Sequence, residues 1–225
     1  MPDGSLSLSL PARLYLLAWD TKRLEITGTA HLHHLVRAGA LTELAQRGLL
    51  VDDDGIAAPA GLDAGTGDPV LDGLLELVRE SRPRRWKTWV TLHARTTLDA
   101  LREQLAAEGL LRAERRRVLG VLPSVDYALE RVAVVDALRE EARRVLEGPL
   151  PAVEVSEREA AVVALAAAAE LGTLAPAKDR RRHKGRIEEL TERSGAAAPA
   201  LRRVVREVSA AVVVAATAAS ATAGG

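Results

Sequence analysis

The sequence predicts a mainly α protein: a single-domain helical bundle with a projecting β-hairpin. Three observations predict it. Apolar residues recur at helical spacing of three and four through most of the 225 residues. Only one stretch, after Gly109, reads as a pair of strands closed by a turn. No βαβ alternation occurs, and no linker is long enough to separate two units, so one domain over 1–225 is expected, with 1–6 and 220–225 flexible. With 48% hydrophobic and 28% charged residues the chain has enough apolar surface to form a core.

The elements follow in order. Ser5–Leu10 alternates Ser and Leu, and Pro11 suits the first turn of a helix whose apolar face holds Leu14 and Leu17, with Tyr15 and Trp19 beside it. Residues 31–47 form a second helix with Leu32, Leu35, Val36, Ala40, Leu41 and Leu44 at helical spacing, stopped by Gly48. Leu49–Val51 is a short strand before an acidic turn at Asp52–Gly55, and Ala57–Gly67 reads as a loop. Asp68 caps a helix running through Val78, with Leu71, Leu74, Leu75 and Val78 inward. Pro83 restarts the chain into Trp86–Leu92. Leu98–Ala107 is helical and ends at Gly109. Leu110 to Leu122 reads as a hairpin with a charged turn. Helices are expected near Tyr127–Leu146, Ser156–Leu171, Asp179–Arg193 and Ala200–Ala219, with Ser156 and Glu159 forming a capping box.

Composition excludes several kinds of protein. The absence of Cys removes disulfide frameworks, Cys-ligated zinc and thiol catalysis. Lys plus Arg and Asp plus Glu both number 31, so the total charge is neither histone-like nor that of an acidic tail. The first residues carry an acid and no basic segment, unlike a secretory signal. Ala210–Ala219 is the most apolar run, about half of what a spanning helix needs. The expected location is therefore cytoplasmic, meeting a membrane only from its side. There is no P-loop, GxGxxG, GxSxG or HExxH. No enzyme is expected, and no cofactor or metal is implied. His31 and His34 could share a metal on one helix face, but no Asp, Glu or Cys is near them before Glu43, so a solvated polar face is the expectation.

The zero net charge conceals patterning. Arg79, Arg82, Arg84, Arg85 and Lys87 surround Pro83 and Trp86. Arg112, Arg115, Arg116 and Arg117 lie on or near the hairpin turn. Lys178, Arg180, Arg181, Arg182, Lys184 and Arg186 form the densest run. Such clusters attract phosphates of lipid headgroups or nucleic acid, and the planar guanidinium fork grips phosphate with two hydrogen bonds. Each cluster can equally be a solvated face paired with nearby Glu. Beside the hairpin's Arg run, Val118, Leu119, Val121 and Leu122 make an apolar tip suited to dip among headgroups, or to pack into the core or a second subunit.

The order of motifs resembles the Golgi phosphoprotein 3 family. Leu8–Asp20 (LSLPARLYLLAWD) is similar to its opening helix. Leu35–Gly48 (LVRAGALTELAQRG) is similar to its next, where Arg precedes small residues and a Leu-x-Glu-Leu-Ala-x-Arg-Gly ending. Thr66–Asp72 (TGDPVLD), Trp89 and Leu105–Leu111 (LAAEGLL) match further segments in the same order, and the likeness is strongest from 8 to 122. The resemblance implies a helical bundle with a projecting hairpin, and a non-catalytic peripheral membrane protein. Eukaryotic members bind phosphatidylinositol 4-phosphate and act as adaptors for glycosyltransferases. Their lipid pocket, built from a Trp and several Arg, implies headgroup roles for Arg37 and Arg95. A further Arg position falls on Leu98 and the Trp position near Gly28. Arg84 and Arg85, or the 180–182 run, are candidates to replace the missing groups. The implied membrane-binding and self-association hairpin falls on 109–122. The Ala- and Arg-rich, Lys-poor composition resembles a bacterial member.

The leading expectation is thus an anionic-phospholipid-binding protein at a membrane surface, with a homo-oligomer through the hairpin as a further possibility. The alternative is a helical nucleic-acid-binding module using 178–186, against which the pI near 7.0 argues. The least supported is an enzyme.

Overall fold

In a computed structural model of the chain, residues 8–61, 64–118, 122–195 and 210–214 are described, without the side chains of 115–118 and 122–124. Helix α2 (Leu32–Gln46) is the axis of the architecture. It is buried from Leu35 through Ala45 without a polar stripe, which marks a helix surrounded on all sides. Around it pack α1 (Leu10–Leu17), α3 (Pro69–Glu80), α4 (Trp86–Thr91), α5 (Ala94–Ala107) and α7 (Glu157–Ala168). The small run Ala38-Gly39-Ala40 lets α1 come close: a Cβ at Gly39 would stand 2.7 Å from Leu14 Cδ1 and 3.1 Å from the Pro11 backbone. An outer layer holds α6 (Val132–Glu147), α8 (Ala177–Arg182) and α9 (Lys184–Arg193).

Three antiparallel pieces of sheet complete the fold. β1 (Trp19–Asp20) pairs with β2 (Glu25–Ile26). β3 (Leu50–Asp53), β4 (Ile56–Pro59) and β5 (Arg84–Arg85) make a three-stranded sheet. Asp54 and Gly55 both have positive φ, the two-residue turn that suits a tight hairpin. That turn carries Ala57–Pro59 into a strand, where the sequence had suggested loop; its geometry outweighs the weak strand preference of Ala. β6 (Leu111–Val118) and β7 (Leu122–Leu129) form the long hairpin, in register from Leu111 opposite Leu129 to Val118 opposite Leu122.

Several expected boundaries move: the helix expected from Leu98 starts at Ala94, and the strand expected over Leu49–Val51 is Leu50–Asp53. The sixth long helix begins at Val132, not Tyr127, because Val125, Tyr127 and Leu129 alternate with Ser124, Asp126 and Ala128 and continue β7. Pro123 is tolerated there because a two-stranded ribbon has an open edge. The helix expected over 179–193 is broken at His183, which ends α8 and precedes α9. Of the expected 200–219 helix, the described residues 210–214 are helical, with Val212 buried in the core.

Motif residues that looked functional hold these elements together. Glu43, buried in α2, accepts from Leu10 N–H at 2.6 Å and from Arg47 at 2.6 Å, and pairs with Arg158 at 3.3 Å. It thereby supplies the acceptor at the start of α1, where Ser9 makes no side-chain cap. Asp72 accepts from Thr66 N–H (2.6 Å), Thr66 Oγ1 (2.7 Å) and Gly67 N–H (3.1 Å), while Asp68 caps α3 through Val70 and Leu71 N–H. Ser156 and Glu159 form the expected capping box.

Candidate anion-binding site

The first turns of α2 and the α4–α5 junction meet in one basic patch. The sequence places His31, His33 and His34 at the start of α2, with Arg37 one turn further. His31 and His34, expected on a solvated polar face, each set a ring nitrogen against a backbone carbonyl instead. His31 Nε2 stands 2.9 Å from Ala169 O, and His34 Nδ1 3.3 Å from Val90 O. The His33 and His34 rings lie 3.9 Å apart, tilted by 43°. Burial, the neighbouring imidazoles and the charge of Arg95 push His33 down to about 4. Burial likewise lowers His34, against the pull of its Val90 hydrogen bond. Both rings are therefore neutral at pH 7, in a place that already holds positive charge.

Arg37 carries the most unusual burden. Its side chain is among the largest fully buried ones, 1% exposed. One guanidinium nitrogen donates to His93 O at 2.6 Å. Nε and Nη1 are buried with no partner among the described residues, and no carboxylate lies within ion-pair distance of it there. Desolvation lowers its pKa to about 10. A cation is normally buried only with a counter-charge. Here the only acceptor among the described residues is a backbone carbonyl at the joint between two helices.

That joint is itself strained. His93 has φ 51, the left-handed region that disfavours a side chain, and it is the residue before α5. Its carbonyl faces Arg37 and its own side chain is exposed. Arg95, two residues on, is also exposed, in the first turn of α5. It stands two residues from the carbonyl that takes Arg37, and its charge bears on both His33 and His34. Arg84 and Arg85 are exposed but stand elsewhere. They form β5, at the start of α4, whereas Val90 O and His93 O belong to its far end. The six residues of α4 put about 9 Å of helix between the two groups. So of the four headgroup candidates, the fold joins Arg37 with Arg95 and sets Arg84 and Arg85 apart.

The two departures noted in the sequence have structural counterparts. Gly28 has φ 65, and a Cβ there would meet His31 Nε2 at 3.3 Å and Leu171 Cδ2 at 3.5 Å, so the His31 ring occupies the ground that a large side chain would need. Leu98 is 6% exposed and belongs to the hydrophobic core, where an Arg would lose its solvation. Trp89 is fully buried with its indole N–H unpartnered among the described residues, while Trp86 donates to Asp52 at 2.8 Å. The sequence reads His31 and His34 as a solvated face and misses the place of the histidines beside the Arg37 joint. Their signal was the spacing of 34 and 37, which puts His34 and Arg37 on one face.

The other basic regions divide. Arg115, Arg116 and Arg117 lie along β6, opposite Val125, Ser124 and Pro123, and not in the turn. The backbones of Val118 and Leu122 form the last pair of the hairpin. Leu119 and Val121 lie outside the described residues, as do the side chains of 115–118 and 122. In the 178–186 run, Arg180 donates to Ala175 O at 2.8 Å, and Arg186 to Leu150 O at 2.6 Å and Val145 O at 3.1 Å. Those two cap loop and helix-end carbonyls, leaving Lys178, Arg181, Arg182 and Lys184 exposed.

This arrangement defines a class: a helical bundle around one buried helix, bearing a long hairpin and a basic patch with no carboxylate paired to Arg37 among the described residues. The model of the family Golgi phosphoprotein 3 (GPP34) matches residues 10–208, and the chain belongs to that family. A search of curated proteins finds no match. No helix among the described residues is long and apolar enough to cross a membrane.

Proposed function

We propose that this protein is a non-catalytic peripheral membrane protein that binds anionic phospholipid headgroups at the patch formed by Arg37, Arg95 and the start of α2. The observation that carries this reading is Arg37, a buried cation with two unpartnered nitrogens and no carboxylate beside it among the described residues. Among the described residues no carboxylate neutralises its charge, and its burial keeps screening water away, so its field reaches the surface where Arg95 stands. Arg95 supplies the exposed fork that meets phosphate oxygens. Arg37 holds the α4–α5 joint through His93 O and adds positive potential from beneath. Membership of the family supports a lipid-binding adaptor role, with phosphoinositide as the headgroup suggested by resemblance. The missing Trp and Arg positions, at Gly28 and Leu98, favour a broader preference for anionic headgroups. The hairpin would add a second contact, with the bilayer or with another copy of the chain. The Ala- and Arg-rich, Lys-poor composition supports a bacterial member, in which a Golgi role has no meaning.

The test is co-sedimentation with vesicles of phosphatidylcholine alone, or with phosphatidylglycerol or a phosphoinositide added at matched total charge. Binding to the anionic vesicles that weakens with salt, and weakens again in Arg95→Glu, supports the reading. Equal binding to neutral and anionic vesicles overturns it.

A further inference from the structure

We propose that His33 and His34 are part of the anion site, and that the protein takes up a proton there when a phosphate group binds. This rests on the reading of the patch as a headgroup site and adds residues and a regulation to it. The two rings touch, and they stand beside Arg95 and one turn from Arg37. Acting on them are His31, the residue before α2, and Arg95 on α5, with His34 acting also on His33; Val90 O stands against His34 Nδ1, and Arg37 donates to His93 O at the same helix joint. No carboxylate is among the charges acting on either ring. Among the described residues the patch holds His31, His33, His34, Arg37 and Arg95, with no carboxylate paired to Arg37 and none acting on the two rings.

A neutral imidazole beside a cation is ready for one event. Repulsion and burial keep the proton off until a negative charge arrives. An anion within hydrogen-bond reach reverses the sign of the local field and supplies the acceptor that an imidazolium N–H needs. Structural duty does not use all of the nitrogens: His34 Nδ1 faces Val90 O, and no hydrogen bond of His33 is seen among the described residues, although its ring is only half-buried. Proton uptake makes affinity rise as pH falls, by about tenfold per pH unit for each proton gained, between the bound and the free titration points.

The experiment follows the His33 and His34 imidazole resonances by NMR in the full-length protein, with and without sulfate, and binding to phosphatidylcholine vesicles containing phosphatidylglycerol. Both probes keep a constant charge from about pH 8 to pH 5.5, the range in which histidines titrate. The expected result is an upward move in the titration of at least one of the two rings when sulfate or vesicles are added. Affinity should rise on the order of tenfold across that range. His33→Asn should flatten the rise, whereas His183→Asn, remote at the α8–α9 break, should leave it. A shift with sulfate identifies a free anion as sufficient; a shift with vesicles only identifies the surface. If the protein binds the vesicles but neither ring moves and the affinity does not vary with pH, the histidine inference fails and the headgroup reading stands. If neither probe binds at any pH, both fail. The NMR measurement needs no variant, so misfolding of His33→Asn leaves the answer intact.

Discussion

Replacing Arg37 by Met separates the fold's use of this side chain from its use in binding. Met keeps a flexible stem of similar bulk and removes the charge. Burial lowers the Arg37 titration from the ordinary guanidinium range to about 10, and at about 1.36 kcal/mol per unit the charge costs the folded state about 3 kcal/mol. Losing a charged hydrogen bond to His93 O costs about 1.5–3 kcal/mol in the other direction. The two nearly cancel, so Arg37→Met should unfold within about 1.5 kcal/mol of the parent by urea denaturation. Binding should not be spared. A unit charge about 10 Å away at an effective dielectric of about 20 is worth about 1.7 kcal/mol, so affinity for anionic vesicles should fall by an order of magnitude. A stability loss of about 3–5 kcal/mol, the size seen when one partner of a buried ion pair is removed, would refute the reasoning, because it would mean that Arg37 has an internal counter-charge.

Other substitutions test the remaining links. Glu43→Ala should cost about 3 kcal/mol or more by denaturant titration, because Leu10 N–H, Arg47 and Arg158 all lose the same buried acceptor. Ser156→Ala should cost about 1 kcal/mol, the usual value of an N-cap. His33, at about 4 in the fold against 6.5 unfolded, binds fewer protons folded than unfolded between those values. Its contribution is therefore present above pH 6.5 and lost as the pH falls towards 4. Discounted for its partial exposure, the loss is about 1–2 kcal/mol, and His33→Asn should remove that part of the acid sensitivity in thermal melts. Asp72 is lowered because bonds from Thr66 and Gly67 outweigh the opposing effect of burial; its support is present above its unfolded value near 3.8 and lost as the pH falls through the folded one. Asp72→Ala should therefore melt at a lower temperature than the parent at pH 7, and the gap should narrow in strong acid.

Much of the fold was legible because it rests on local rules. The α2 pattern, the Gly48 stop, the Asp68 cap and the Ser156–Glu159 box are all read from neighbouring residues, and each stands where expected. The failures are tertiary. The alternation of Val125, Tyr127 and Leu129 was hidden by Pro123, which a ribbon edge tolerates. Ala57–Pro59 became strand through pairing with β3 and β5.

The site was legible in part. Arg37 and Arg95 are 58 residues apart in numbering, and only the packing of α2 against α4 and α5 brings them together. Arg84 and Arg85 looked equivalent in a charge count but fall at the opposite end of α4. The burial of Arg37 could not be read from sequence at all, since Arg ordinarily stays exposed unless paired. Charge clusters also overstated what is available: Arg180 and Arg186 serve backbone carbonyls, a role that clustering in sequence does not reveal.

The central claim is that an uncompensated cation under Arg95 makes the start of α2 and α5 an anion site. The most direct measurement compares the parent with Arg37→Met in binding to vesicles that differ in headgroup at fixed total charge. The account predicts salt-sensitive binding by the parent and about tenfold weaker binding by the variant, with stability nearly unchanged. Equal binding by a folded Arg37→Met would contradict it.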